Sequence, residues 1–323
     1  MNERLHDTEL VRQIEENFGH TAGIAVMRHG ELVYERYFNG HGKMDSFHIF
    51  SVTKSVTSLL IGIAMDKGYI KSADQKVLDF FPEYAVKRGE KTIGQVTLKN
   101  LLTMTAPYKY KSEPYTKVYG SEDWVKAGLD LLGGKRPIGD FLYSTVGTQI
   151  LSGVLEQATG MPMISFAAEH LFTPLGIATP APITFANKEE HLAFYRKRSA
   201  TGWVTDPKGC PAAGWGLCLR PRDMANIGQM VLNQGIWDGK QLVSPSWVRE
   251  STREHSRWGE LSYGYLWWIL GGNTPGSFAA MGDGGNIIYV NQKEETVVAI
   301  ACHFKPRAKN MMELIEQQIL SLF

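Results

Sequence analysis

A serine and a lysine three residues apart, Ser51 and Lys54, open an apolar run from Ser55 to Met65 that reads as a buried helix ending near Lys67-Gly68. On a helix, residues three apart share a face, so the two side chains would stack one above the other. A serine hydroxyl attacks a carbonyl poorly until a neighbouring base takes its proton. A lysine amine held in apolar surroundings sheds its charge and can be that base. The helix N-terminus adds free backbone N–H groups and a dipole that favours developing negative charge. One short segment thus offers a nucleophile, a base and part of an oxyanion site. The spacing alone also fits an N-cap serine followed by a surface lysine. A helix this apolar leaves Lys54 little exposed face, which favours the chemical reading.

Two other segments carry candidate chemistry. Tyr143-Ser144-Thr145 precedes a helical pattern, and a phenol beside a lysine can share its proton with a leaving group. A buried tyrosine capped by Ser144 and Thr145 is the plainer reading of those three residues alone. Gly282-Asp283-Gly284-Gly285-Asn286 leads into a strand, and its glycines would let a substrate pair with the strand backbone. The same residues also suit a plain hairpin turn.

These segments must be held by elements from both ends of the chain. Glu9 to Phe18 reads as an amphipathic helix. Ala22 to Met27 and Glu31 to Tyr37 flank Arg28-His29-Gly30 as a hairpin. The middle is mostly helix and loop, with helices expected at 97–104, 146–158 and 222–232. Near the C-terminus, Tyr263 to Ile269, Asn286 to Val290 and Thr296 to Ala301 read as strands, followed by a helix from about Ala308 to Leu322. The economical architecture is a three-layer α+β fold. One antiparallel β-sheet is assembled from both chain ends and flanked by helices (residues 1–67 and 251–323), with an all-α domain inserted at 68–250.

Hydrophobic residues make up 43% and charged residues 21% of the 323, proportions of an ordinary soluble globular protein with room for two lobes. A net charge of +1 gives no reason to expect nucleic acid or an anionic membrane as partner. Cys210, Cys218 and Cys302 are widely spaced with no Cys-x-x-Cys, which argues against a disulfide framework and for a reducing compartment. They are expected to be small buried hydrophobes. No secretory signal is seen at Met1 to Leu10, and Leu59 to Met65 is too short to span a bilayer, so a cytoplasmic protein is expected. The histidines show no metal-ligand spacing, and no heptad pattern specifies an oligomer.

Taken in order, the motifs resemble the serine β-lactamase-related hydrolases of the class C type. That family includes class C β-lactamases, DD-carboxypeptidases, D-aminopeptidases, family VIII esterases and 6-aminohexanoate-dimer hydrolases. The resemblance runs nearly end to end. It takes in Phe50 to Ser55, Leu101 to Thr105, Phe141 to Thr145, Gly214 to Leu217, Arg222 to Ala225, Asn233 to Lys240, Tyr263 to Trp268 and Gly282 to Gly285. The stretch from Ser121 to Ala127 is most similar to the 6-aminohexanoate-dimer hydrolase and esterase branch.

By position, the resemblance implies that Ser51 forms an acyl-enzyme while Lys54 and Tyr143 handle the protons. The oxyanion would be held by the backbone N–H groups of Ser51 and Asn286. No metal or organic cofactor is implied. The substrate would be a small ester or amide, with Thr145, Asp283, Gly284 and Gly285 against it, and with Tyr108 and Trp124 as further pocket candidates.

Two positions depart from the family pattern. Thr145 stands where asparagine is usual, and Asp283 where a lysine or histidine binds a substrate carboxylate. A carboxylate facing a carboxylate is repulsive. Neutral or cationic esters and amides are therefore expected over β-lactams and D-alanyl-D-alanine termini. The competing expectations are a β-lactamase or D-amino-acid peptidase, a protein acylated at Ser51 that senses without turnover, and an inert scaffold.

Overall fold

The computed structural model describes residues 2–271 and 276–322. The chain opens with helix α1 (Asn2–Asn17) and the hairpin β1 (Thr21–Arg28) and β2 (Glu31–Tyr37), turned at His29 and Gly30, both with positive φ. Helix α2 (Val52–Asp66) follows, and after a long, mainly helical stretch come α3 (Thr145–Thr159) and α4 (Pro221–Leu232). The remaining strands of the large sheet are β3 (Ser256–Trp258), β4 (Leu261–Tyr263), β5 (Trp268–Leu270), β6 (Ser277–Gly282), β7 (Asn286–Asn291) and β8 (Thr296–Cys302).

These eight strands form one sheet in the order β2-β1-β8-β7-β6-β5-β4-β3, and every neighbouring pair is antiparallel. The first and last thirds of the chain meet where β1 pairs with β8, Ile24 opposite Ile300 and Val26 opposite Val298.

Both faces of the central strands β1, β8 and β7 are buried, and the period-2 alternation of a strand sorts their residues between the two faces. Ile24, Val26, Ile287, Tyr289, Val298 and Ile300 pack with Leu10 and Ile14 of α1 and with Leu314, Ile315 and Ile319 of the C-terminal helix. The intervening residues, Ala25, Met27, Ile288, Val290, Val297 and Ala299, pack with α2 and α4. The result is the expected three-layer sandwich. Helix α4 and Trp247 lie on the sheet side, so this layer takes in residues that the sequence reading assigned to the inserted segment.

Helix α2 is buried from Val52 to Ala64, as a helix that is apolar on every side must be. Two of its hydroxyls are tied to carbonyls of distant segments. Ser55 Oγ donates to the Leu266 carbonyl at 2.6 Å and Thr57 Oγ1 to that of Ala213 at 2.7 Å. Each bond satisfies a buried hydroxyl and at the same time fixes a loop on the helix surface.

Two strand expectations differ from the structure. Tyr263 to Ile269 is not one strand but the end of β4, a tight turn, and β5. Leu266 takes a left-handed φ of 62°, its N–H bonds to the Leu102 carbonyl at 2.9 Å, and its own carbonyl receives Ser55. These tertiary bonds override the β propensity of an aromatic run. In the other case β6 carried no strand signal, yet it lies in the middle of the sheet. The three cysteines are free and buried. Among the described residues no helix is long and apolar enough to cross a membrane.

Candidate active site

Ser51 sits at a forced change of direction. Phe47–His48 pairs with Cys218–Leu219 as a short antiparallel ribbon, and α2 begins at Val52. Between them Phe50 takes a φ of 49°, a conformation that costs a bulky residue about 1–3 kcal/mol. Ring contacts with Tyr195 and Phe304, centroids 5.9 and 5.4 Å away, hold it there. The turn leaves Ser51 half-buried at the head of the helix, with its hydroxyl above Lys54.

Lys54 is 1% exposed and its nitrogen meets three oxygens: Ser51 Oγ at 2.9 Å, Thr145 Oγ1 at 3.2 Å and the Gly214 carbonyl at 2.8 Å. Burial pushes the amine down to about 8, against the opposing pull of the Glu113 and Asp283 carboxylates. As a neutral amine it would keep two N–H bonds, to Thr145 and Gly214, and turn its lone pair to the Ser51 proton. Gly214 has to be glycine here, because a Cβ would sit 2.8 Å from Thr145 Cγ2 and 3.4 Å from Lys54 Nζ.

Tyr143 completes the group. Its ring centroid lies 4.9 Å from Lys54 Nζ. Burial raises this phenol well above its usual range; the nearby Ser51 hydroxyl opposes the rise, and the Asp283 and Glu113 carboxylates add to it. The two titrating groups are thus driven apart, one toward a neutral base and the other toward a retained acid. The backbone before α3 is held from below. The Leu142 N–H bonds to the Met104 carbonyl at 2.7 Å and the Ser144 N–H to Met104 Sδ at 3.3 Å, while Tyr143 stacks on Trp268.

The sheet reaches this group through Gly282. A Cβ on Gly282 would lie 3.0 Å from the Ser51 nitrogen and closer still to the Ile49 carbonyl, so only glycine lets β6 approach. The β6–β7 register fixes which N–H groups face the site. The Gln292 N–H bonds to the Gly276 carbonyl, and the register runs on unbroken to Gly282 opposite Asn286. Hydrogen-bonded pairs alternate along an antiparallel ladder, so Gly282 and Asn286 are such a pair. The Asn286 N–H is therefore spent on the sheet, which corrects its expected place at the oxyanion. Its side chain is buried as well, donating to the Asp283 carbonyl at 2.8 Å and accepting the Cys302 N–H at 3.0 Å. The N–H groups of Met281 and Asp283 point to the other edge, which β5 leaves unpaired beyond Ala279.

A cleft of about 500 Å³ opens over Ser51. Thr145 and Asp283 line it. Gly284 and Gly285 do not: they lie behind the strand end, where added Cβ atoms would meet the His303 carbonyl and Met311. Tyr108 and Trp124 are also corrected. Tyr108 is 5% exposed, with its hydroxyl against Gly147 of α3, and Trp124 is 3% exposed among Tyr119 and Trp215. Both are packing residues of the helical part.

The cleft walls come instead from Phe50, Tyr115, Tyr195, Trp215 and Phe304, with Leu192 and Arg196 at the rim. Trp215 stood between glycines in a motif already noted, and Tyr115 lies in a stretch that also carries Tyr108, Tyr110 and Tyr119. Nothing in the sequence marks Tyr195 or Phe304.

The sequence model of the beta-lactamase family matches residues 11–322. A 6-aminohexanoate-dimer hydrolase of Paenarthrobacter ureafaciens is 25% identical over 318 residues, covering 91% of this chain and 74% of its own. Among solved structures, a penicillin-binding protein homologue from Caulobacter crescentus superposes with a TM-score of 0.75 at 20% identity, over 100% of this chain and 98% of that one. A family VIII carboxylesterase superposes with a TM-score of 0.70 at 18% identity, over 98% and 97%.

Proposed function

This chain belongs to the beta-lactamase family, and we propose that it is a serine hydrolase that cleaves a small ester or amide through an acyl-enzyme on Ser51. The observation that carries the reading is the buried Lys54 amine, 2.9 Å from the Ser51 hydroxyl and depressed to about 8. Ser51 Oγ attacks the carbonyl carbon as its proton passes to Lys54 Nζ. The oxyanion forms between the Ser51 N–H, which has no acceptor among the described residues, and the Asp283 N–H at the open edge of β6. The tetrahedral adduct then collapses. Its C–O or C–N bond breaks, and the leaving alcohol or amine takes a proton by way of Tyr143. Water attacks the ester carbonyl in turn, and Ser51 is released with the acid.

The walls favour an acyl group with apolar or aromatic surface. Asp283 stands close enough to act on both Lys54 and Tyr143, which disfavours a carboxylate beside the scissile bond. This separates the proposal from a β-lactamase or a D-alanyl carboxypeptidase. Similarity to a 6-aminohexanoate-dimer hydrolase supports an acyl carbonyl as target.

The test is incubation with a short-chain p-nitrophenyl ester, following product release and the mass of the Ser51 peptide. Steady release with a transient adduct is expected. A stable adduct without release would favour an acylated sensor, and the absence of both a scaffold.

A further inference from the structure

We propose that Glu113, a residue outside the cleft, positions the Tyr143-Ser144-Thr145 segment for the reaction by anchoring the first turn of α3. The proposal rests on the hydrolase reading above. A single carboxylate oxygen, Oε1, accepts the Val146 N–H at 2.7 Å and the Ser144 hydroxyl at 2.9 Å, with the Tyr110 phenol at 3.3 Å. Ser144 is fully buried, and its hydroxyl also accepts the Gly147 N–H at 2.7 Å and lies 2.7 Å from the Tyr110 phenol.

The Val146 N–H can only donate to Oε1. The Ser144 and Tyr110 hydroxyls carry two protons between them: one serves the bond between the two hydroxyls, and the other is left for Oε1. Oε1 thus receives the Val146 N–H and a hydroxyl proton, a role a carboxylate oxygen fills as a pure acceptor. Negative charge at that spot also suits the free N–H groups of the helix end.

The consequence reaches the reacting atoms from two sides. Tyr143 and Thr145 flank the anchored Ser144; the Tyr143 ring stands 4.9 Å from Lys54 Nζ, and the Thr145 hydroxyl accepts from that nitrogen. If the first turn shifted, phenol and threonine hydroxyl would move together. The carboxylate also acts on Lys54 through space, in the same sense as Asp283. Around Glu113 itself stand the phenols of Tyr108, Tyr110, Tyr115 and Tyr119, all held protonated by burial.

Two substitutions separate charge from anchoring. In Glu113→Gln the amide oxygen still accepts from Val146 and Ser144, so kcat should stay within about threefold while the acidic limb of kcat/KM moves roughly half a pH unit downward. In Glu113→Ala both donors lose their acceptor, and kcat should fall about tenfold or more with a smaller change in KM. Thermal unfolding of each variant checks that it is folded. An unshifted limb in Glu113→Gln together with parental kcat in Glu113→Ala overturns the proposal. If the unaltered protein neither turns over a p-nitrophenyl ester nor gains mass at Ser51, the hydrolase reading falls, and this inference with it.

Discussion

The Lys54 nitrogen lies 2.9 Å from the Ser51 hydroxyl oxygen and has almost no solvent to face. A charged ammonium there would give up hydration for three neutral oxygens, and among the described residues no carboxylate touches it. The neutral amine is correspondingly easier to reach, which is why burial heads the causes of its depression to about 8.

That depression sets a pH profile. The base acts only when deprotonated, so kcat/KM should fall about tenfold per unit as pH drops below 8 and level off above it. Lys54→Arg keeps a cation that cannot deprotonate, and should lose roughly 10³-fold in kcat while remaining folded. Ester turnover between pH 5 and 10 checks both. A profile flat from pH 6 to 9 in the parent would remove Lys54 as base.

Tyr143→Phe removes the phenolic proton and keeps the ring on Trp268. A general acid matters most when the leaving group is poor. The loss should therefore be about 10²-fold for an alkyl ester or an amide and much smaller for p-nitrophenyl acetate, whose leaving group departs as an anion. Equal losses on both substrates would assign Tyr143 to packing.

How much of this was legible from residues alone depended on how local each feature is. Ser51 and Lys54 sit one helical turn apart, and the apolar run around them announced the burial. Tyr143 arrives from a segment about ninety residues away, and only its resemblance to a motif linked it to them. The strand β6 was missed because Ser-Phe-Ala-Ala-Met-Gly lacks β-branched residues. Its position explains that: Ala280 and Gly282 face α2, and anything larger at Gly282 would push Ser51 away. Asn286 was misplaced because ladder polarity depends on register, which no single sequence states. Glu113 gave no signal at all, being one acidic residue in a polar loop.

Charge at the cleft makes a separate prediction. Asp283 is exposed and lines the cleft, and only its backbone N–H is assigned to the oxyanion, so its side chain can be exchanged without touching that donor. Asp283→Lys should raise turnover of nitrocefin, whose carboxylate lies beside the scissile amide, by about tenfold relative to a neutral p-nitrophenyl ester. Efficient nitrocefin hydrolysis by the parent, with no gain in the variant, would end the argument from charge.

The wall behind the cleft contains a titratable group that bears on stability. His48 is 8% exposed, and its Nε2 accepts the Gly216 N–H at 3.0 Å, which places the ring proton on Nδ1. Aromatic rings of Phe50, Phe194, Tyr195 and Trp215 surround it, and burial, with His191 adding, holds it down to about 3. The unfolded chain takes up this proton near pH 6.5 and the folded one only near 3. Stability should therefore fall as pH drops through that window, by roughly 4 kcal/mol from this residue if the fold persists to its end. Below pH 3 both states carry the proton and the loss stops growing. His48→Gln leaves a neutral acceptor for Gly216, so the variant should be less stable at pH 7 through poorer packing yet lose less on acidification. Urea unfolding at pH 7, 5.5 and 4.5 measures the difference. If parent and variant lost stability in parallel, the acid sensitivity would have to come from groups other than His48.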